Sequence, residues 1–282
     1  MAKTATKTKT PPAAVPARRG STNVAEADML AMMQEDAGKG VSTAAEDNVV
    51  PLLYLLQKMS PQLDRNDKTK YLPKAKDGDI WFRGTPTFVD GENEGIEVIP
   101  CYFSKCWIQW RPDRGGFVQR HPDRPKEAVQ AEEDDKKGGT RLVWRMKNGD
   151  SVVETREHVV MVISLGKPLA VVIPMTSTNH TASKEWMGLM NNVLVPGTDK
   201  TAPSYGYVYR LNTVPRKNDK GAWYTWHVSH AGEKDGAAVP QMVTDMTLYR
   251  AAKKINADFS SGALRADVAD DSDSDEEADT DM

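Results

Sequence analysis

The residues whose types and spacing are most suggestive of chemistry are aromatic and basic. Tyr205, Tyr207 and Tyr209 alternate, which on a strand places three rings on one face, and Arg210 follows them. Trp223, Tyr224 and Trp226 belong to a second run that would pair with the first, and the stretch between holds Arg216, Lys217 and Lys220. A third cluster is KCWIQWRPDRGG, which contributes Lys105, Trp107, Trp110, Arg111 and Arg114. Flat rings stack on unpaired bases while a cationic rim holds phosphates, and each stacked base contributes about 1–3 kcal/mol. The competing reading is packing, because aromatic side chains are favoured on any pleated, half-buried surface.

Enzymatic chemistry has little to draw on. The chain has no G-x-x-x-x-G-K-[ST], H-E-x-x-H, G-x-S-x-G or G-x-G-x-x-G. His121, His158, His180, His227 and His230 are scattered without triad partners. Asp77, Asp79, Asp90 and Glu92 could serve a metal-dependent nuclease, yet Asp77-Gly78-Asp79 and Asp90-Gly91 read as turns. Cys101 and Cys106 with His121 have a spacing poorly suited to zinc and lack a fourth ligand, and two cysteines of one strand at that separation point to opposite faces. Asp271, Asp273 and Asp275 imitate a calcium loop without its glycine or flanking helices. No enzyme, metal or cofactor is expected.

The elements that must position the aromatic clusters follow from periodicity and punctuation. Residues 1–46 read as a disordered basic arm with a short helix near 27–34, where Met29, Leu30, Met32 and Met33 gather. Order is expected from Asp47, with Asp47 or Asn48 capping a helix that has Pro51 in its first turn. Strands are expected at 80–83, 95–103, 106–111, 141–146, 151–154, 158–165 and 168–175, with Asn148-Gly149 as a hairpin turn and 121–139 as a mobile loop. A helix over 181–194, strands over 204–213 and 222–229 joined by the loop VPRKNDKG, and a helix over 239–257 complete the body. The expected fold is mainly β with a few helices (α+β), an OB-like antiparallel β-barrel forming a single domain over 47–260. A disordered acidic tail is expected over 261–282.

Charge is divided unevenly. The net charge is −3, yet the residues from Ala266 onward hold nine acids and no base. What remains has 37 basic against 31 acidic residues, or +6, with +5 in residues 1–20 and +5 in residues 200–265. Such a distribution fits an anionic partner and an internal competitor for it. No apolar run reaches the roughly 18 residues of a membrane span, and residues 1–20 lack the apolar core of a signal peptide, so no membrane partner is expected. With two cysteines, a reducing cytoplasm is the expected compartment, that of the host if the chain is phage-encoded.

On the clusters WIQWRPDR and YGYVYR…WYTW and the acidic run from Ala266, the chain resembles phage-encoded single-stranded DNA-binding proteins, which join an oligonucleotide-binding barrel to an acidic C-terminal tail. The resemblance implies a protein that coats single-stranded DNA during replication and recombination, and a tail that contacts replication or recombination proteins. Self-association into a homo-oligomer is compatible with such coating. The alternative expectation is a phage structural or assembly protein with a β-sandwich body, packed aromatics and no nucleic-acid binding.

Overall fold

Two long strands form the spine of the molecule, and each is longer than its polar interruptions suggest. In the computed structural model, which describes residues 22–36, 49–112, 116–134, 140–219 and 221–266, the expected strands 95–103 and 106–111 are one strand, β5 (Ile96–Trp110). The expected pair 151–154 and 158–165 is likewise one strand, β9 (Ser151–Val162). The polar residues that looked like breaks are satisfied across the ladder. Ser104 Oγ donates to Glu157 Oε2 at 3.1 Å, and Lys105 pairs with Glu154 at 3.4 Å.

The remaining elements, in chain order, are α1 (Thr22–Glu35), β1 (Val49–Val50), β2 (Leu53–Leu55), β3 (Ile80–Phe82), β4 (Phe88–Val89), then β6 (Phe117–His121), β7 (Val129–Asp134) and β8 (Thr140–Arg145) between the two long strands. After β9 come β10 (Leu169–Met175), α2 (Asn179–Asn191), β11 (Tyr207–Asn218), β12 (Gly221–His230), β13 (Gly232–Lys234), β14 (Ala237–Val239), β15 (Gln241–Met242), α3 (Met246–Ser261) and β16 (Arg265–Ala266). The described chain is mainly β, with three α-helices, as expected. Helix α1 belongs to a separate unit, residues 1–43; it encloses the expected helix 27–34, and Met29, Leu30, Met32 and Met33 are exposed on it.

Within residues 44–282 the main sheet runs β12-β11-β5-β9-β8-β7, every pairing antiparallel. β10 and β8 share one edge of β9, β10 meeting residues 156–162 and β8 meeting Ser151 and Val152. β11 and β6 likewise share one edge of β5, at residues 96–98 and 107–110. Strand alternation then sorts the side chains into two cores. One gathers Val98, Val160, Ile173, Leu211 and Trp226 under Trp186 and Ala182 of α2. The other gathers Ile99, Cys101, Ile108, Met161, Val172 and Val208 with Ala252 of α3.

Several expectations are corrected. The apolar stretch 52–56 is not a helix but β-structure, because a short apolar run carries no period that separates the two. Pro51 lacks a donor, but its carbonyl accepts from Val172 N at 2.9 Å, joining β1 and β2 to β10. The span 121–139 contains β7, which pairs with β8, instead of being a loop throughout. VPRKNDKG is mostly ladder, with pairing continuing to Asn218 and Gly221. The last helix begins at Met246, seven positions after the expected start, because Asp245 caps it by accepting from the amides of Thr247 and Leu248. Residues 261–266, expected to belong to the disordered tail, are ordered. Gly262 closes α3 with φ 78°, and Arg265 and Ala266 pair in parallel with Val49 and Val50. The acidic residues from Asp267 onward lie outside the described residues. Among the described residues no helix is long and apolar enough to cross a membrane.

Candidate nucleic-acid interface

The hairpin β11–β12 is organised by its register. Arg216 faces Trp223, Val214 faces Thr225, Asn212 faces His227, and Arg210 faces Ser229. Directly opposed residues of an antiparallel pair share a face, so Arg210, Arg216, Trp223 and His227 form one outward basic-aromatic stripe. Arg210, Arg216 and His227 are exposed and Trp223 is half-buried. Arg210 pairs with Glu97 of β5 at 2.7 Å. Among the described residues Arg216 has no acidic partner, nor does Lys217, which is exposed on the opposite face. Trp223 Nε1 is buried without a hydrogen-bond partner. Lys220 and Arg114 lie outside the described residues.

The other face of the hairpin is core. Tyr209 is 1% exposed and Trp226 3%, packed with Trp186 and Leu211. Burial pushes the Tyr209 phenol up to about 12, with the neighbouring Tyr207 adding to it. Tyr207 is buried too, its hydroxyl donating to the Leu194 carbonyl at 3.2 Å. Tyr205 is not on the strand; it sits in the 3-10 turn Ser204–Gly206 and meets Tyr249 of α3 edge-on, ring centroids 5.3 Å apart. The alternating tyrosines therefore do not form one open platform. Strand β11 begins at Tyr207, and the face that Tyr207 and Tyr209 share points into the core.

The hairpin is anchored along the middle of its ladder. Gln57 bonds both backbone groups of Tyr224, donating to its carbonyl at 2.9 Å and accepting from its amide at 3.0 Å. Thr213 Oγ1 donates to the Gly78 carbonyl at 2.7 Å. Gly78 has φ 86°, and a Cβ there would lie 2.7 Å from the Tyr224 ring, so glycine lets the turn close against the hairpin. This turn also brings together the carboxylates considered for nuclease chemistry. Asp90 is held well below the usual carboxylate range by hydrogen bonds first from Lys76 and then from Asn93. Burial raises Asp79. Among the described residues no group of three or more His, Cys, Asp or Glu is arranged to hold a metal ion.

The third cluster lies at the far end of β5. Trp107 is 9% exposed, and its ring meets Trp144 edge-on. Trp110 is half-buried against Phe117, and Arg111 is exposed. Three cations of this region are engaged with carboxylates: Arg120 with Glu157, Arg145 with Glu133, and Lys105 with Glu154. Trp144 and Arg124 are the residues that sequence reasoning missed. Their signal was a lone tryptophan in RLVWRM and an arginine in a span taken for a loop.

Cys101 and Cys106 lie on one strand yet both face the α3 core. The β-bulge between Pro100 and Tyr102 inserts a residue and reverses the alternation between them. Burial pushes both thiols up to about 12. His121 is elsewhere, its Nε2 2.8 Å from Gln109 Oε1, in a network with Asp150.

A family model described as Pam3 phage gp34-like protein matches residues 19–265. The chain belongs to this phage family. No curated protein and no solved structure matches it.

Proposed function

We propose that this phage protein binds single-stranded DNA, without catalysis, on an OB-like body whose ligand contacts are carried by two arms. Connectivity supports the body. β5 pairs with β9 on one edge and with β11 on the other, β9 continues to β10, α2 links β10 to β11, and β11 pairs with β12. Taken as strands one to five with the helix between the third and fourth, this is how an oligonucleotide-binding barrel is wired. Between β10 and β12, β2 reaches both sides, through the bridge of Leu52 with Val172 and through Gln57.

In such a barrel, ligand contacts come from the second and third strands and from the loops joining strands one to two and four to five. Here the outer side of β9 and β10 is sealed at Val159, Met161 and Val172. The two loops remain. They are the 111–150 arm, flanked by Trp107, Trp110 and Arg111, and the β11–β12 hairpin, with Arg210, Arg216, Lys217 and Trp223. That coincidence of the basic-aromatic clusters with the two ligand-bearing loops is the observation that carries the reading. Arg114 and Lys220 belong to the same loops, whereas Tyr205 lies at the opposite end of β11 from the hairpin turn. Tyr207, Tyr209, Trp107 and Trp226 support the surface from beneath instead of stacking on bases.

The protein would act in the host cytoplasm during replication or recombination. The acidic run from Asp267 competes with DNA for the cationic surface and contacts replication or recombination proteins. Self-association along a strand is part of the same reading. Titrating tryptophan fluorescence with single- and double-stranded oligonucleotides tests it, with quenching expected for single strands and weakening as salt rises. The rival, a structural or assembly protein, is favoured by one observation: four of the seven candidate rings are buried. It expects no quenching by either oligonucleotide.

A further inference from the structure

The end of β5 and the 111–150 arm share an aromatic pair with a cation over each ring. Trp107 and Trp144 have centroids 6.2 Å apart and planes at 88°. The Arg124 guanidinium lies 3.8 Å from the Trp144 centroid and 5.9 Å from that of Trp107. Lys105 Nζ is 5.9 Å from the Trp107 centroid. Trp107, Ala128 and Val152 form a small core separate from the two main ones, and Trp144 is half-buried at its rim. Arg124 is exposed, and among the described residues no carboxylate pairs with it.

An arginine that covers an indole without a carboxylate to hold it is a replaceable cover. Its cation–π contact at an exposed site is weaker than a base stacked on an aromatic ring. We propose that Trp144 and Arg124 form a bracket for one unpaired nucleobase. The base enters against Trp144, the Arg124 plane closes on its other face or turns its donors to the adjoining phosphate, and Lys105 adds positive charge beside it. A base inside a duplex has both faces stacked and cannot enter. The inference rests on the proposed function and deepens it, assigning a specific base site to the arm.

The test uses the full chain and a thymidine oligonucleotide at about 50 mM salt, where electrostatic binding is strong. The indole N–H signals of the seven tryptophans are followed by NMR, alongside the affinities of Trp144→Leu, Trp144→Phe and Arg124→Ala. The Trp144 and Trp107 signals are expected to shift while that of the core residue Trp186 stays. Trp144→Leu should weaken binding about 5- to 100-fold, and Trp144→Phe, which keeps a ring, by less than about fivefold. Arg124→Ala should weaken binding and reduce the salt slope by about 0.7, one phosphate's worth for a single strand. Should Trp144→Leu not fold, an Arg124→Ala variant with wild-type affinity and slope overturns the bracket. Shifts confined to Trp223, with wild-type binding by Trp144→Leu, overturn the bracket while leaving DNA binding at the hairpin. If the wild-type chain fails to bind the oligonucleotide, both fall together.

Discussion

His158 shows how a side chain that looks available for chemistry is committed to the core. It stacks on Trp186 at 4.5 Å, tilts against Phe103, and lies 2.7 Å from Ser183 Oγ. Burial first, then the nearby Arg156, lowers its pKa from 6.5 to about 3, so the folded protein keeps it neutral where the unfolded chain protonates it. Its contribution to stability is therefore complete above about pH 6.5 and is lost progressively as the pH falls toward 3. Replacing His158 with Phe should flatten the dependence of unfolding free energy on pH across that window, measured by urea denaturation at several pH values. An unchanged slope would refute the assignment. The tyrosines carry the same lesson. Alternation was legible at Tyr207 and Tyr209, but period two states only that residues share a face, and burial decides which face. Trp223 and Arg216, candidates alongside them, are the pair that opens outward.

At the scale of elements, the long strands were misread wherever polar residues interrupt them. The polar breaks around Ser104–Lys105 and Glu154–Glu157 lie side by side across β5 and β9, where Ser104 faces and donates to Glu157 and Lys105 pairs diagonally with Glu154. That complementarity is non-local, and no window along the chain contains it. The bulge at Pro100 and Tyr102 was equally hidden, since the extra residue shows only in the register with β9. Hairpin and helix punctuation fared better. Asn148-Gly149 sits in the turn between β8 and β9, with Gly149 at φ 91°. Helix α3 depends on a cap that its apolar pattern obscured. Asp245 accepts from Thr247 N at 2.7 Å and from Leu248 N at 3.3 Å. Asp245→Ala should cost about 1 kcal/mol of stability in urea unfolding. Asp245→Asn, which keeps a capping oxygen, should cost clearly less.

At the scale of the molecule, the chain belongs to a phage family and its charge is divided unevenly along its length. Nine acids and no base from Ala266 onward leave +6 for the rest, and strand β16 ties the start of that acidic run to β1. If the run competes for the cationic arms, a chain ending at Ala266 should bind single strands more tightly at low salt, and the advantage should shrink as salt screens the competition. Equal affinities for the two chains at low salt would remove the competitor role. The central claim is that the arms bind unpaired strands. Its most direct measurement is the affinity of the full chain, and of the double variant Arg216→Glu/Lys217→Glu, for a labelled single-stranded oligonucleotide and its duplex at about 50 mM salt. The account predicts preferential binding of the single strand by the wild-type chain and at least about tenfold weaker binding by the variant, for two charge reversals at the phosphate contacts. Absence of single-strand binding by the wild-type chain would contradict it.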